Sequence, residues 1–247
     1  RTRLAEVTLA GHGIRLEPLA AAHVPGLREA VADGEIHRIP FAPHVPAPEA
    51  VEGSVARLRA DVEAGTRLAW AVVRDEGAGG GGRVVGLTTF MNLALADRGL
   101  EIGNTYLAGS AHRTGVNTAM KRLLLGHAFE ELDLLRVEFR IHHLNLASRR
   151  AVEALGAQQD GILRAHRILP DGSVRHTVVH SILAPEWPGI RAMLDARLAR
   201  QRRAGAEERH ASGGGLPGLI LCRARGCGAG RTMAPHEPAW HRDYDAL

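Results

Sequence analysis

The sequence predicts an α/β fold of the α+β kind, a mixed and mostly antiparallel central sheet of about seven strands flanked by helices. Three observations carry this. Short segments alternate apolar and polar residues, longer ones repeat apolar residues at helical spacing, and Gly or Pro punctuates the joins. The resulting order is β α α β β β α β α β β α.

"GIRLEPL" alternates Ile14, Leu16 and Pro18 against Arg15 and Glu17, the period of a half-buried strand. A helix follows from Ala20 to Ala32. The proline-rich "RIPFAPHVPAPEA" is rigid, and a second helix, Pro48 to Ala64, closes at Gly65. "RLAWAVVRD" and "RVVGLTTFMNL" form a hairpin around the flexible loop Glu76 to Gly82. That glycine run is no phosphate loop, because neither a Lys-Ser/Thr pair nor a helix follows it. "LEIGNTYLA" is the fourth strand. A helix from Thr118 to Leu132, apolar on most sides, is expected to be buried. "RVEFRIHH" is a strand, "NLASRRAVEALG" a capped helix ending at Gly156, and "GILRAHRIL" with "VRHTVVHSIL" a hairpin around "PDGS". "PEWPGIRAMLDARLARQRR" is the last helix.

Composition narrows the function. Hydrophobic residues at 45% suffice for a core, and only 4% are aromatic, which leaves no series of rings on which single-stranded nucleic acid could stack. The formal charge is +4, yet all but one of the 31 basic residues are arginine, Lys121 being the exception. Arginine usage of this kind follows from a GC-rich genome and argues weakly for a polyanionic partner. A basic ribosome or nucleic-acid adaptor is therefore disfavoured. No run reaches the roughly 18 apolar residues of a membrane span, and "RTRLAEVTLAGHG" lacks the apolar core of a signal peptide, so a cytoplasmic protein is expected.

Residues 1–203 read as one folded domain. From Ala204 the composition turns to Gly, Ala, Arg, Pro and His without periodicity, and a disordered tail is expected over 204–247. Both cysteines, Cys222 and Cys227, lie there, so the domain has neither a disulfide framework nor a cysteine nucleophile. Together with His236 and His241 they make a poor zinc set, with a short central spacer and no surrounding strand or helix pattern. No metal is expected.

The chemistry gathers at "AHRTGVNTAMK", a loop running straight into a helix. A helix start offers unpartnered N–H groups and partial positive charge, which suits an anion, most often a phosphate. Gly115 permits a positive φ and close approach to the backbone. Arg113 and Lys121 supply charge, and Asn117 and Thr118 are placed to cap the helix or donate hydrogen bonds. An ordinary Gly-containing turn into a capped helix would be spelled in the same way.

The element order together with "HRTGVNT", "NLASRRAVEALGA" and "LPDGSVRHTVVHSIL" resembles the GCN5-related N-acetyltransferases, and within them the branch of ribosomal-protein N-terminal acetyltransferases. The resemblance spans about Gly11 to Arg200. It implies acetyl-coenzyme A as cofactor, with the pyrophosphate gripped by the loop His112, Arg113, Thr114, Gly115, Val116, Asn117 and Thr118. His112 stands where the family carries Gln or Arg, and Asn117 where it carries Gly or Ala. The resemblance also implies that the fourth strand splays from the fifth, so that pantetheine pairs with backbone around Tyr106, Leu107 and Ala108.

Catalytic roles likewise come from the resemblance. Glu101 on the fourth strand stands where many members carry a base, the alternative being a plain strand residue; His142 is a weaker candidate. The wider family places a tyrosine acid seven residues after the Asn of the fourth helix, and here Val152 occupies that position after Asn145. Ser148 stands where the ribosomal-protein branch has a serine near the thiol, and Asn145 where a residue contacts the cofactor; both also fit a capped helix start. Phe41 and His44, with His166 and Arg167, flank the acceptor groove in such an alignment. The expected partner is an amine acceptor, at a protein N-terminus or on a small molecule, with a homodimer compatible and no direct nucleic acid or membrane. A non-catalytic acyl-coenzyme A binding regulator of the same fold is the alternative.

Overall fold

The computed structural model describes residues 4–39, 41–76 and 81–213, with side chains through 204. Two compact units are distinguished, residues 1–208 and 209–247, and the account below concerns the first. The cysteine and histidine set weighed for zinc and nearly all of the expected tail lie outside the described residues. The last helix, α5 (Trp187–Gly213), runs on past residue 203.

One eight-stranded sheet organises the chain, in the order β1-β2-β3-β4-β5-β6-β8-β7. The strands are β1 (Leu9–Gly11), β2 (Ile14–Pro18), β3 (Leu68–Asp75), β4 (Gly82–Ala94), β5 (Gly99–Leu107), β6 (Arg136–His142), β7 (Gln158–Ile168) and β8 (Val174–Leu183). Only β5 and β6 run parallel; every other pair is antiparallel. The strand beyond the expected seven is β1, which turns into β2 through His12 (φ +56) and Gly13 (φ +80). At three residues β1 is too short to show alternation, which is why periodicity misses it.

Helices α1 (Val24–Ala32) and α2 (Val51–Glu63) cover one face, while α3 (Val116–Gly126) and α5 pack on the other. Strand β3 divides its side chains between them: Leu68, Trp70 and Val72 join the cluster of α3 and α5, Ala69 and Ala71 that of α1 and α2. A strand covered on both faces reads as a continuous apolar run, as "LAWAVV" does. On α3, Met120, Leu124 and Leu125 are fully buried, each contributing about 1.5–3 kcal/mol of transfer free energy. The helix ends in a π turn, His127–Glu131, with Leu132 N–H donating to the His127 carbonyl. The remaining helix, α4 (Leu146–Glu153), follows β6.

Candidate functional site

The site begins where two strands part. Strands β5 and β6 pair only through Gly99–Arg136, Leu100–Val137 and Glu101–Glu138. Past Glu101, β5 continues against β4 and β6 against β8, which leaves a gap between them. Asn104 (φ +46) interrupts β5, and the register with β4 slips between Leu87/Tyr106 and Thr89/Gly103. Such a bulge re-aims the residues after it. Gly86 keeps β4 and β5 close here, since a Cβ on it would stand 2.2 Å from the Tyr106 carbonyl oxygen.

Thr105 collects contacts from several elements. Its Oγ1 lies 2.9 Å from Thr88 Oγ1 and accepts from Lys121 Nζ at 3.2 Å. Its carbonyl oxygen lies 3.3 Å from His44 Nε2, in the loop between α1 and α2. Lys121 Nζ also stands 5.4 Å from the centroid of the Phe139 ring on β6. The ammonium therefore points into the strand gap and not toward the loop before α3, where the sequence led its charge to be expected. The reason is which face of α3 meets the sheet: Lys121 is buried alongside Met120, Leu124 and Leu125.

The loop before α3 has the character expected of it, with different donors. Arg113 (φ +61) and Gly115 (φ +92) are both left-handed, and Gly115 is the N-cap, with no side chain capping the helix. Asn117 and Thr118 therefore do not cap it. Among the described residues, the amides of residues 113–118 donate to no protein acceptor; the first bonded one is Ala119 N–H, to the Gly115 carbonyl at 2.9 Å. Alternating backbone of this kind aims successive N–H groups at one point, a nest for an anion. No acidic residue lies in the first turn to compete. His112 turns back, its Nε2 3.0 Å from the Leu107 carbonyl, and Thr114 Oγ1 donates to the Ala111 carbonyl at 2.7 Å. The amides and exposed Arg113 are thus left open at this loop, while the His112 ring is turned back on Leu107. Above the loop, Gln201 Oε1 of α5 is buried without a partner, and a Cβ on Gly115 would lie 2.6 Å from it.

Of the three residues expected to offer backbone to pantetheine, Ala108 is already committed: its N–H donates to Val85 and its carbonyl accepts from Ala111. Tyr106 stands opposite Leu87 and Leu107 opposite Gly86 in the register with β4, and the Leu107 carbonyl lies 3.0 Å from His112 Nε2.

Glu101 stands at the last paired position before the gap, 5% exposed. Burial pushes its carboxyl above the ordinary carboxylate range, against an Asn92 Nδ2 bond to Oε2 of 2.5 Å and the Arg140 guanidinium, whose Nε is 3.6 Å from the same oxygen. Arg140 Nε also donates to Glu138 Oε2 at 3.0 Å. Asn145 caps α4, its Oδ1 accepting the Ser148 amide at 3.0 Å, so the capping role is realised for that pair.

On the other wall, Phe41 packs on His142 with ring centroids 4.8 Å apart, and His142 accepts the Leu144 amide at Nδ1, 3.2 Å away. Burial, chiefly, holds the His142 imidazolium below its ordinary range. His166 Nδ1 lies 3.0 Å from Thr177 Oγ1, and exposed Arg167 is close enough to act on the Glu101 carboxyl. Residues that sequence reasoning missed complete this wall. Arg175 donates to Thr177 Oγ1 and to the Arg140 carbonyl, at 3.0 and 3.1 Å. Asn92 and Thr105 were missed as well. A polar residue inside each apolar or alternating strand, "FMNLA" and "EIGNTYL", was the available signal for Asn92 and Thr105.

Residues 14–158 match the acetyltransferase (GNAT) domain model, and the chain belongs to that family. A crystal structure of an acetyltransferase of T. thermophilus, provisionally so named, shares 37% identity over 80% of this chain and all of that one, with a TM-score of 0.69. A GCN5-related N-acetyltransferase from Brucella melitensis is 27% identical over 80% of this chain and 88% of its own, with a TM-score of 0.71. YdaF of Bacillus subtilis (strain 168), provisionally named a ribosomal N-acetyltransferase, is 33% identical over 108 residues, 44% of this chain. The match spans 58% of that relative's length. The free amides of 113–118 and the glycine that keeps them open fit acetyl-coenzyme A, the family's acetyl donor. Among the described residues no helix is long and apolar enough to cross a membrane.

Proposed function

We propose that the protein is an acetyl-coenzyme A dependent N-acetyltransferase of the ribosomal-protein branch, acting on a primary amine by direct attack in a ternary complex. The acceptor is the α-amino group of a protein or peptide N-terminus, or a small-molecule amine, met in the cytoplasm; residues 1–203 form the catalytic domain. One observation carries the reading: unpartnered amides at the start of α3 stand beside the opening between β5 and β6. Acetyl-coenzyme A, when bound, supplies an acetyl group activated as a thioester.

The residues divide the work. Amides 113–118 and Arg113 hold the pyrophosphate, and Tyr106 and Leu107 lie along the pantetheine path. Glu101 accepts the proton of the attacking amine, directly or through water; burial raises its carboxyl toward the range useful to a base. An α-amine of pKa near 8 asks little of that base, a lysine amine near 10.4 more, and this favours an N-terminal acceptor. The name of the Bacillus relative supports the same class. Ser148 donates a hydrogen bond to the departing sulfur, and Asn145 fixes Ser148 by capping α4. Phe41, His44, His166 and Arg167 line the acceptor side.

Calorimetric titration of acetyl-coenzyme A into the wild type and into Gly115→Trp tests the cofactor site. Binding by the first alone, followed by acetyl transfer to peptide N-termini, is the expected result. Folded wild type that binds nothing would sink the enzyme reading, and binding without turnover on any amine would leave a non-catalytic acyl-coenzyme A binder.

A further inference from the structure

Lys121 is the single lysine of the chain, and it sits where a cation is hardest to keep. It is 5% exposed, and its Nζ lies in the β5–β6 gap against Thr105 Oγ1 and the Phe139 ring. Among the described residues no carboxylate comes within ion-pair distance of it. Of the titratable groups on the flanking strands, Glu101 is engaged by Asn92 and Arg140, Glu138 by Arg136 and Arg140, and His142 by the Leu144 amide. Burial pushes the Tyr106 phenol well above its ordinary range, so it stays neutral. No carboxylate there offsets a charge on Nζ, and burial pushes that ammonium down to about 7.

The choice of residue sharpens the point. A guanidinium does not lose its proton in a protein, whereas a buried amine does. Of the chain's 31 lysine and arginine residues, the one whose charged end is buried in this gap is the single lysine, whose amine can be neutral there.

We propose that Lys121 is a catalytic proton-handling residue of the acyl-transfer site, holding at Nζ, inside the gap, the proton that the departing thiol takes up. The inference rests on the N-acetyltransferase reading above. A serine hydroxyl is a far weaker acid than an alkyl thiol of pKa about 8.5, so Ser148 can share its hydrogen with a thiolate but is no net source of a proton. An ammonium that titrates near neutrality is such a source. The C–N bond forms as the amine attacks, and the C–S bond breaks with its electron pair left on sulfur. Nζ gives that sulfur a proton and becomes a neutral amine. The proton shed by the attacking nitrogen, through Glu101 and water, restores the ammonium.

With only one lysine, protein labelled with carbon-13 at lysine Cε gives one side-chain NMR signal, whose pH titration reads Lys121 directly. The expected midpoint is about 7 in the free protein, displaced when coenzyme A is added. Lys121→Arg and Lys121→Met are expected to bind acetyl-coenzyme A by calorimetry, while kcat falls by about 10²–10⁴ at unchanged KM and the alkaline limb of its pH profile disappears. A midpoint above about 9.5, that of an ordinary solvated lysine, overturns the proposal. So does a Lys121→Met enzyme with wild-type kcat and pH profile. If neither variant folds, a Cε signal in the wild type that is indifferent to coenzyme A has the same force. Wild type that fails to bind acetyl-coenzyme A removes the parent reading instead, and calorimetry shows this independently of Lys121.

Discussion

Asn92 donates through Nδ2 to Oε2 of Glu101 at 2.5 Å, tying an irregular residue of β4 to the last residue of β5 that still pairs with β6. Asn92 has a left-handed backbone (φ +48), and the β4–β5 register slips between Met91 and Ala94. Asn tolerates that conformation better than most residues because its short amide bonds locally. The bulge thus serves the carboxylate. Together with Arg140, Asn92 favours the ionised form of Glu101 in surroundings where burial disfavours it.

Replacing Asn92 by Gly keeps the backbone conformation and removes the donor. The Glu101 carboxyl then rises further, and a base that must be ionised loses activity at a higher pH. The acid limb of kcat/KM in Asn92→Gly is expected to move to higher pH, and in Glu101→Gln to vanish with a loss of about 10²–10⁴. A pH–rate profile of each variant checks both. An unmoved limb in Asn92→Gly would mean that Glu101 is not the group being read.

Gly115 should resist even alanine. At φ +92 an L-residue is strained by about 1–2 kcal/mol, and the new Cβ would press on Gln201 Oε1. Gln201 can swing aside, so the domain is expected to fold with a modestly lowered Tm. Acetyl-coenzyme A affinity should fall about tenfold or more, since about 1.4 kcal/mol of lost phosphate contact suffices for that. Calorimetry and thermal melts separate the two effects. Wild-type affinity in Gly115→Ala would remove this loop from the cofactor site.

Lys121 predicts a stability signature apart from catalysis. Its folded-state pKa of about 7 lies below the ordinary 10.5, so the unfolded chain binds the proton more tightly. Folding is then penalised fully below pH 7, by roughly 1.4 kcal/mol less for each pH unit above it, and no longer above 10.5. Lys121→Met lacks this term. Its stability advantage over the wild type, measured by urea unfolding at fixed salt, is expected to be largest at pH 6–7 and to shrink steadily toward pH 10. A difference independent of pH would show that the lysine titrates normally in the folded chain.

Much of this was legible in the sequence, for physical reasons that also mark the limit. The alternation in "GIRLEPL" and the Gly and Pro boundaries placed the elements, because periodicity and backbone preference are local properties. The loop at Gly115 was legible because only a residue without Cβ suits that conformation. Lys121 was not, since its direction depends on which face of α3 meets the sheet. Nor was the commitment of the Ala108 amide to Val85, which depends on strand register, or the Asn92–Glu101 bond, which needs a bulge that leaves no period in the sequence.

Asn145 and Ser148 separate structure from chemistry within one turn of helix. Asn145 Oδ1 accepts the Ser148 amide, so Asn145→Ala removes a side-chain cap worth about 1 kcal/mol and frays the start of α4. Ser148→Ala keeps that amide and the cap while deleting only the hydroxyl. Its Tm is therefore expected to stay within a degree or two of wild type, and its kcat to drop about tenfold or more with KM for acetyl-coenzyme A unchanged. Asn145→Asp, which still accepts the amide bond, should recover the stability lost in Asn145→Ala. If Ser148→Ala keeps full kcat, the hydroxyl takes no part in the transfer, and Ser148 is only the residue whose amide the cap satisfies.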